Sequence, residues 1–308
     1  MAVNHVANRS RIAMPTLPFF TADVFTTMRF GGNPLAVVLG GETLDTLTMQ
    51  TVAAEFNLSE TTFVLPPSDP AYTAHVRIFN RTAEMTFAGH PMVGTAFILA
   101  RRDPTLDEAT FEIAAGLVRI RIARDEAGTA IGAAITTPQP LTTGETLPPE
   151  LIAGVLRLNP GDVVTTTHPP IAASNGNTYV IAELTADALA RCSPDIDAFR
   201  AALSAHPQQG NRFSVHVYSR EGDTLRARMF APLVGTWEDP ATGSANAPLA
   251  CLLLSIDAAR EAATFTIHQG VEMGRPSLLR VDARRTPAGI MATLHGHCVP
   301  VMAGEISL

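Results

Sequence analysis

Two stretches of this sequence are apolar on every side, and both open on residues that suit the start of a helix. The first, "EMTFAGHPMVGTAFILA", covers 84–100, and the second, "TWEDPATGSANAPLACLLL", covers 236–254. A surface helix keeps a polar face, so a helix without one must run through the middle of a sheet or barrel. Its first turn is then buried as well. The unpaired backbone N–H groups and partial positive charge of such a start attract an anion. Pro91 and Pro240 suit a first turn, where the missing N–H is not needed. Gly89-His90-Pro91 and Asp239-Pro240 place an ionisable group at each start, which a device for packing alone does not require.

The two stretches also belong to a weak internal repeat. Laying "RIFNRTAEMTFAGHPMVGTA" over "RMFAPLVGTWEDPATGSA" matches Arg77 with Arg228, Phe79 with Phe230, Pro91 with Pro240, Gly94 with Gly243, Thr95 with Ser244 and Ala96 with Ala245. Similar halves commonly meet about a pseudo-twofold axis, which would bring both helix starts to one cleft. Around them lie short β-like runs such as "PLAVVLG", "TTFVLP", "AHVRIFN", "TFEIAAGLVRIRIA" and "AIGAAITTP". One helical pattern, "LDTLTMQTVAAEFN", stops at Asn57. The Pro- and Thr-rich stretch 138–149 reads as a linker between an N-terminal lobe, 16–137, and a C-terminal lobe, 150–288. Residues 1–15 read as a loose tail, and the closing strands, 289–308, are free to pack on the N-terminal lobe.

Composition narrows the function. A chain of 308 residues with 46% hydrophobic and 17% charged residues can bury a full core. A net charge of −7 without a basic run argues against nucleic acid or an anionic membrane surface as partner. All 22 basic residues are arginine, so neither a Schiff-base lysine nor a P-loop lysine exists. The three cysteines, Cys192, Cys251 and Cys298, form no CxxC and suggest neither a disulfide framework nor a zinc ribbon. With no signal-like start and no apolar run of the roughly 18 residues a span requires, the expected location is the cytoplasm.

Three ionisable residues stand out. Glu60, between Leu58 and Phe63, has apolar neighbours that penalise its charge and lift its pKa towards working pH, as a proton shuttle requires. His90 and Asp239 sit at the helix starts. Each has a plain alternative: a solvated loop carboxylate for Glu60, a core histidine for His90, an N-cap for Asp239. Small residues at Gly94-Thr95-Ala96 and Gly243-Ser244-Ala245 could equally serve close helix packing.

The blocks "FGGNPLAVVL", "EFNLSETTFVLP", "MTFAGHPMVGTAFIL", "EDPATGSANAPLA" and "QGVEMGRPSLL" resemble, in order, the motifs of the PhzF-like isomerases, named for phenazine biosynthesis. That resemblance implies an α+β, diaminopimelate-epimerase-like fold: two similar lobes, each a curled, mostly antiparallel sheet around a central buried helix. It implies an isomerase without metal or organic cofactor, in which Glu60 moves a proton within a small unsaturated or cyclic carboxylic acid of the dihydro-hydroxyanthranilate kind. His90, Asp239 and Ser244 would surround the substrate, and Ser59, Gly89 and Gly243 would line its site. The fold's racemases use paired cysteines at the helix starts; this chain has none there, and Cys251 falls well inside the second helix. Two other readings stay open: a two-base epimerase or racemase pairing Glu60 with Asp239 or His90, and a catalytically silent binder of small acids. Pro248 is expected to interrupt the second buried helix. "HGHC", from His295 to Cys298, has a metal-like spacing but no acidic or third histidine partner near in sequence, so no metal is expected. A homodimer is the commonest assembly for such a chain.

Overall fold

The computed structural model describes residues 16–209 and 212–308. The tail expected over 1–15 lies outside the described residues. The first half of the chain runs β1 (Thr16–Val24), β2 (Asn33–Leu39), α1 (Thr46–Phe56), β3 (Glu60–Leu65), β4 (Ala74–Phe79), β5 (Glu84–Met85), α2 (Gly89–Arg102), β6 (Glu108–Ile113), β7 (Gly116–Arg124) and β8 (Ala130–Thr136). The second runs β9 (Thr142–Thr146), α3 (Pro149–Val155), β10 (Val163–Val164), β11 (Ile171–Ser174), β12 (Thr178–Leu184), α4 (Ala186–Arg191), α5 (Ile196–Ala205), β13 (Val215–Glu221), β14 (Thr224–Ala231), β15 (Thr236–Asp239), α6 (Gly243–Ile256), β16 (Ala262–Gln269), β17 (Ser277–Thr286) and β18 (Gly289–Ser307).

One pattern of strand pairing occurs twice. In the first half β2 pairs parallel with β3, β3 antiparallel with β4, and β4 antiparallel with β5 but parallel with β6; β6, β7 and β8 then follow antiparallel. In the second half β12, β13, β14, β15, β16, β17 and β18 repeat this sequence of pairings step for step. The registers also fix which residues correspond. Thr61 faces Phe79 as Val215 faces Phe230, and Met85 faces Ile78 as Asp239 faces Met229. Gly89 therefore corresponds to Gly243 and His90 to Ser244, with no gap between strand and helix.

This register corrects the sequence overlay. Arg77 and Arg228 do correspond, and each repeats one arrangement: an ion pair to Glu84 or Glu238 at 2.7 and 2.8 Å, with the guanidinium over Phe79 or Phe230. The overlay of Gly94 on Gly243, however, is one and a half turns out of step. Small residues recur along both apolar helices, so a match by residue type slips easily. Gly94 is small for packing, since a Cβ there would meet Leu35 Cδ2 at 2.5 Å and Val24 Cγ2 at 2.7 Å. Pro240 lies ahead of its helix, whereas Pro91 lies within the first turn of α2.

Both apolar helices are buried along nearly their whole length, as their uniform hydrophobicity requires. α2 packs on β8, β1 and β2, and α6 on β17, β18 and β16. Pro248 does not end α6, which continues unbroken to Ile256. Cys251 is fully buried in it. α1 ends as expected on Asn57, in the left-handed conformation at φ 52°. The run 110–123 is two strands rather than one, with the turn Ala114-Ala115 between β6 and β7. The stretch expected as a linker contains β9, which pairs with β11.

The closing residues form one long strand. β18 pairs with β17, then with β8 from Thr293 to His297, and then with β1 from Cys298 onward. Among the described residues no helix is long and apolar enough to cross a membrane.

At the β8–β18 crossing the backbones are so close that a Cβ on Gly132 would fall 2.0 Å from the Gly296 carbonyl oxygen. Backbone cannot yield as a side chain can. Gly132→Ala should therefore destabilise by about 1–3 kcal/mol or more, read as a lower urea midpoint at unchanged slope. An unshifted midpoint would mean that the strands are further apart than this.

Candidate active site

The starts of α2 and α6 meet. A Cβ on Gly89 would lie 3.8 Å from the backbone nitrogen of Ser244, and neither Ala88 nor Thr242 caps its helix with a side chain. The N–H groups of Gly89 and His90, and of Gly243 and Ser244, are thus left for another partner, whereas Ala245 N–H already donates to the Thr242 carbonyl. Glu60 opens β3, directly after the αL turn at Asn57, and so emerges beside the same space. All seven residues singled out in the sequence, Ser59, Glu60, Gly89, His90, Asp239, Gly243 and Ser244, line one cavity. It is a small cavity of about 50 Å³, with room for a few waters.

Asp239 reaches this cavity from the end of β15, not from the helix. Its carboxylate accepts from the hydroxyl of Thr242, and the N-cap position belongs to Thr242 itself. The N-cap reading of Asp239 is thereby replaced. Asn33, the first residue of β2, joins the two halves here. Its Nδ2 donates to Asp239 Oδ1 at 2.9 Å and to the Ala241 carbonyl at 3.0 Å, and lies 3.3 Å from His90 Nδ1. Behind Asp239, the buried Gln269 donates to the Asp239 carbonyl at 2.8 Å and to Thr242 Oγ1 at 3.0 Å, clamping the turn that delivers the carboxylate. On the other wall the Tyr179 hydroxyl meets Ser244 Oγ at 2.6 Å.

Burial dominates the electrostatics. It pushes the Glu60 carboxyl up to about 8, helped by the negative charge of Asp239 and opposed by Arg212 and Arg81. It pushes His90 down to about 3 and Asp239 up to about 6, the latter against the donors Thr242 and Asn33. His90 Nε2 and Glu60 Oε2 approach to 3.1 Å, yet near neutral pH both groups are mainly uncharged, so this is no ion pair. Their atoms also lack the alignment of a hydrogen bond to each other or to any other group. Both are left turned towards the cavity.

Asn33, Tyr179, Thr242, Gln269, Arg212 and Ser214 were not assigned a place from the sequence; all but Asn33 and Gln269 line the cavity. One signal was readable. The strand registers place Ala36 opposite Thr61 as Val180 lies opposite Val215, so Gly32-Asn33 corresponds to Gly176-Asn177, a Gly-Asn pair that recurs at the head of β2 and β12. Gln269 is a lone polar residue at the end of a strand, without such a mark. The "HGHC" stretch lies elsewhere, on β18, where His295 bonds Asp282 at 2.8 Å; among the described residues no group of three metal-binding side chains gathers.

With this geometry in place, comparison with known proteins gives a consistent result. The family model described as phenazine biosynthesis-like protein, PhzC-PhzF, matches residues 22–304. The chain belongs to this family. It is 38% identical over 304 residues to an uncharacterized isomerase of Mesorhizobium japonicum, covering 95% of this chain and 99% of the relative. The trans-2,3-dihydro-3-hydroxyanthranilate isomerase of Pseudomonas fluorescens is 34% identical over 263 residues, 85% of this chain and 88% of that one. A crystal structure of a PhzF-family phenazine biosynthesis protein from Bacillus anthracis covers 96% of this chain and all of its own, with a TM-score of 0.85 at 24% identity. This PhzF-like chain is an isomerase with a mixed α/β fold of the kind that its relatives share.

The buried carboxyl has a consequence for stability. Folding raises Glu60 from 4.5 to about 8, so between those values the folded state holds a proton that the unfolded state has lost, and stability falls as pH rises through about 8. Glu60→Gln removes that ionisation. The Tm of the variant relative to the unsubstituted protein should improve steadily between about pH 5 and about pH 9 in thermal unfolding. Two curves that run parallel over this range would contradict the buried, raised carboxyl.

Proposed function

We propose that the chain is a cofactor-independent isomerase that moves a proton within a small unsaturated or cyclic carboxylic acid, of the dihydro-hydroxyanthranilate class named for its Pseudomonas relative. Two lobes of like topology close over the substrate, each giving one helix start. The N–H groups at Gly89, Gly243 and Ser244 hold the substrate carboxylate, with Ser59 at the edge of the site. Glu60 in its ionised form takes a proton from a carbon next to the unsaturation, and the electron pair passes into the conjugated system. The neutral Glu60 then returns the proton to another carbon on the same face. No other atom enters or leaves.

The observation that carries this reading is the asymmetry of the cavity. By strand register the counterpart of Glu60 is Ser214 and the counterpart of Asp239 is Met85, and all four line the cavity. Facing the base across the pseudo-twofold is thus a hydroxyl, not a second base of like kind. A racemase needs a proton acceptor on one face and a donor on the other, whereas one carboxyl serves for transfer along one face. Asp239 is already engaged by Asn33 and Thr242 on its two oxygens. Its proposed part is to hold the electrostatic setting of Glu60.

Glu60→Gln should lose at least about a hundredfold in kcat while substrate binding stays measurable. Full activity in that variant would end the proposal. Because the ionised carboxylate is the active form, kcat/KM should rise about tenfold per pH unit and level off above about 8, the value to which burial lifts Glu60. Asp239→Asn, which removes the neighbouring negative charge, should move that rise to lower pH, as pH-rate profiles of the two proteins would show. A rise centred near the ordinary carboxylate range in the unsubstituted enzyme would contradict the assignment.

A further inference from the structure

A neutral imidazole has one N–H and one bare nitrogen, and its neighbours decide which is which. For His90 the deciding neighbour is Asn33, which is fully buried, lies behind the cavity lining and has no part in the reaction as written above. Its amide can face only one way. Nδ2 sits 2.9 Å from Asp239 Oδ1 and 3.0 Å from the Ala241 carbonyl, both acceptors. Turned over, the amide would set its own oxygen against a carboxylate and a carbonyl at those distances, with nothing to donate. Asp239 is itself held in place: Thr242 donates to its second oxygen, and Gln269 donates to Thr242 and to the Asp239 carbonyl. The NH2 group is therefore fixed, and it also lies 3.3 Å from His90 Nδ1. Two amide hydrogens face three acceptors, so one of them is shared.

We propose that Asn33 is a positioning residue: by presenting its NH2 to Nδ1 it keeps that nitrogen bare and holds the proton of His90 on Nε2, 3.1 Å from Glu60. A proton on Nδ1 would point at a group that has only hydrogens to offer. With Nε2 as an N–H, the side of His90 that faces the cavity can donate but cannot accept. His90 is then no base. It is left to donate to an oxygen of the substrate, and it leaves Glu60 as the proton acceptor at that wall. The burial that keeps His90 uncharged is what makes this choice of nitrogen matter. The tautomer itself follows from geometry alone; its meaning for catalysis rests on the isomerase reading above.

The test needs no substrate, so it stands or falls apart from that reading. Protein labelled with ¹⁵N at histidine is examined ligand-free near neutral pH by two-bond ¹H–¹⁵N correlation, with His90 assigned from the spectrum that His90→Gln loses. The unsubstituted protein should show His90 with its proton on Nε2. A proton on Nδ1 overturns the proposal at once. Asn33→Asp keeps the shape but puts an acceptor where the NH2 was, and should move the proton to Nδ1, with complete loss of the Nε2–H pattern. A folded Asn33→Asp protein that keeps Nε2–H also overturns it. Should that variant fail to fold, Asn33→Leu takes its place and should show a mixture of both tautomers, a single unchanged Nε2–H pattern again counting against Asn33. Loss of stability without a positioning role would lower Tm and leave the tautomer as it was.

Discussion

Two buried helices meet start to start, and the structure depends on that contact. A helix start carries unpaired N–H groups and positive potential, and bringing two together in an apolar interior is unfavourable unless something negative or polar lies between them. Here a Cβ on Gly89 would lie 3.8 Å from the Ser244 nitrogen, and neither helix has a side-chain cap. The polar side chains that crowd the gap, His90, Asp239, Thr242 and Tyr179, follow from this need. So does the pairing of strands around it, since each helix must be wrapped on all sides to stay there. The crossing of β18 from β17 to β1, with Gly132 and Gly296 in backbone contact, closes the two halves on each other.

The same burial that makes the site stores a cost in stability. Glu60, His90 and Asp239 all have protonation behaviour displaced in the direction that burial dictates, so each is held in the form that water would not favour at some ordinary pH. Hydrogen bonds offset part of this for Asp239 but not for Glu60 and His90, whose facing atoms have no partner. Buried side-chain atoms without a partner also occur on Asn33, Thr61, Asn175 and His216, but only Glu60 and His90 turn theirs towards each other across a cavity that both line. The repeated halves have diverged in step with this. Glu60 stands where the other half has Ser214, His90 where it has Ser244, and Asp239 where the first half has Met85. The two halves share one pattern of strand pairing and differ in the side chains that they bring to the cavity.

Much of this was legible in the residues. A helix without a polar face has only one kind of home, so the burial of α2 and α6 could be read directly, as could the convergence of Glu60, His90, Asp239 and the glycines on one cavity. What could not be read was register. Residue types along an apolar helix repeat too often to align one copy with the other, and Asp239, placed at the helix start from the sequence, ends a strand three residues before the N-cap. The strand register, set by hydrogen bonds between segments far apart in sequence, resolves both. Asn33 and Gln269 escaped notice for a similar reason. Their importance lies in partners about 206 and 27 residues away, and nothing in their own neighbourhoods announces it. Pro248 shows the converse, a local rule overridden by a helix packed on every side.

The central claim is that one carboxyl, desolvated where the helix starts meet, is kept neutral near physiological pH and ready to exchange a proton. The most direct check is to follow that carboxyl itself. With ¹³C placed at the side-chain carboxyl carbons of glutamate and the Glu60 resonance assigned from Glu60→Gln, its chemical shift is recorded across the pH range in the ligand-free protein. The account predicts a midpoint near the value of about 8 that burial and Asp239 impose. A midpoint at the ordinary value of 4.5 would show a solvated, charged carboxylate at neutral pH and would contradict it.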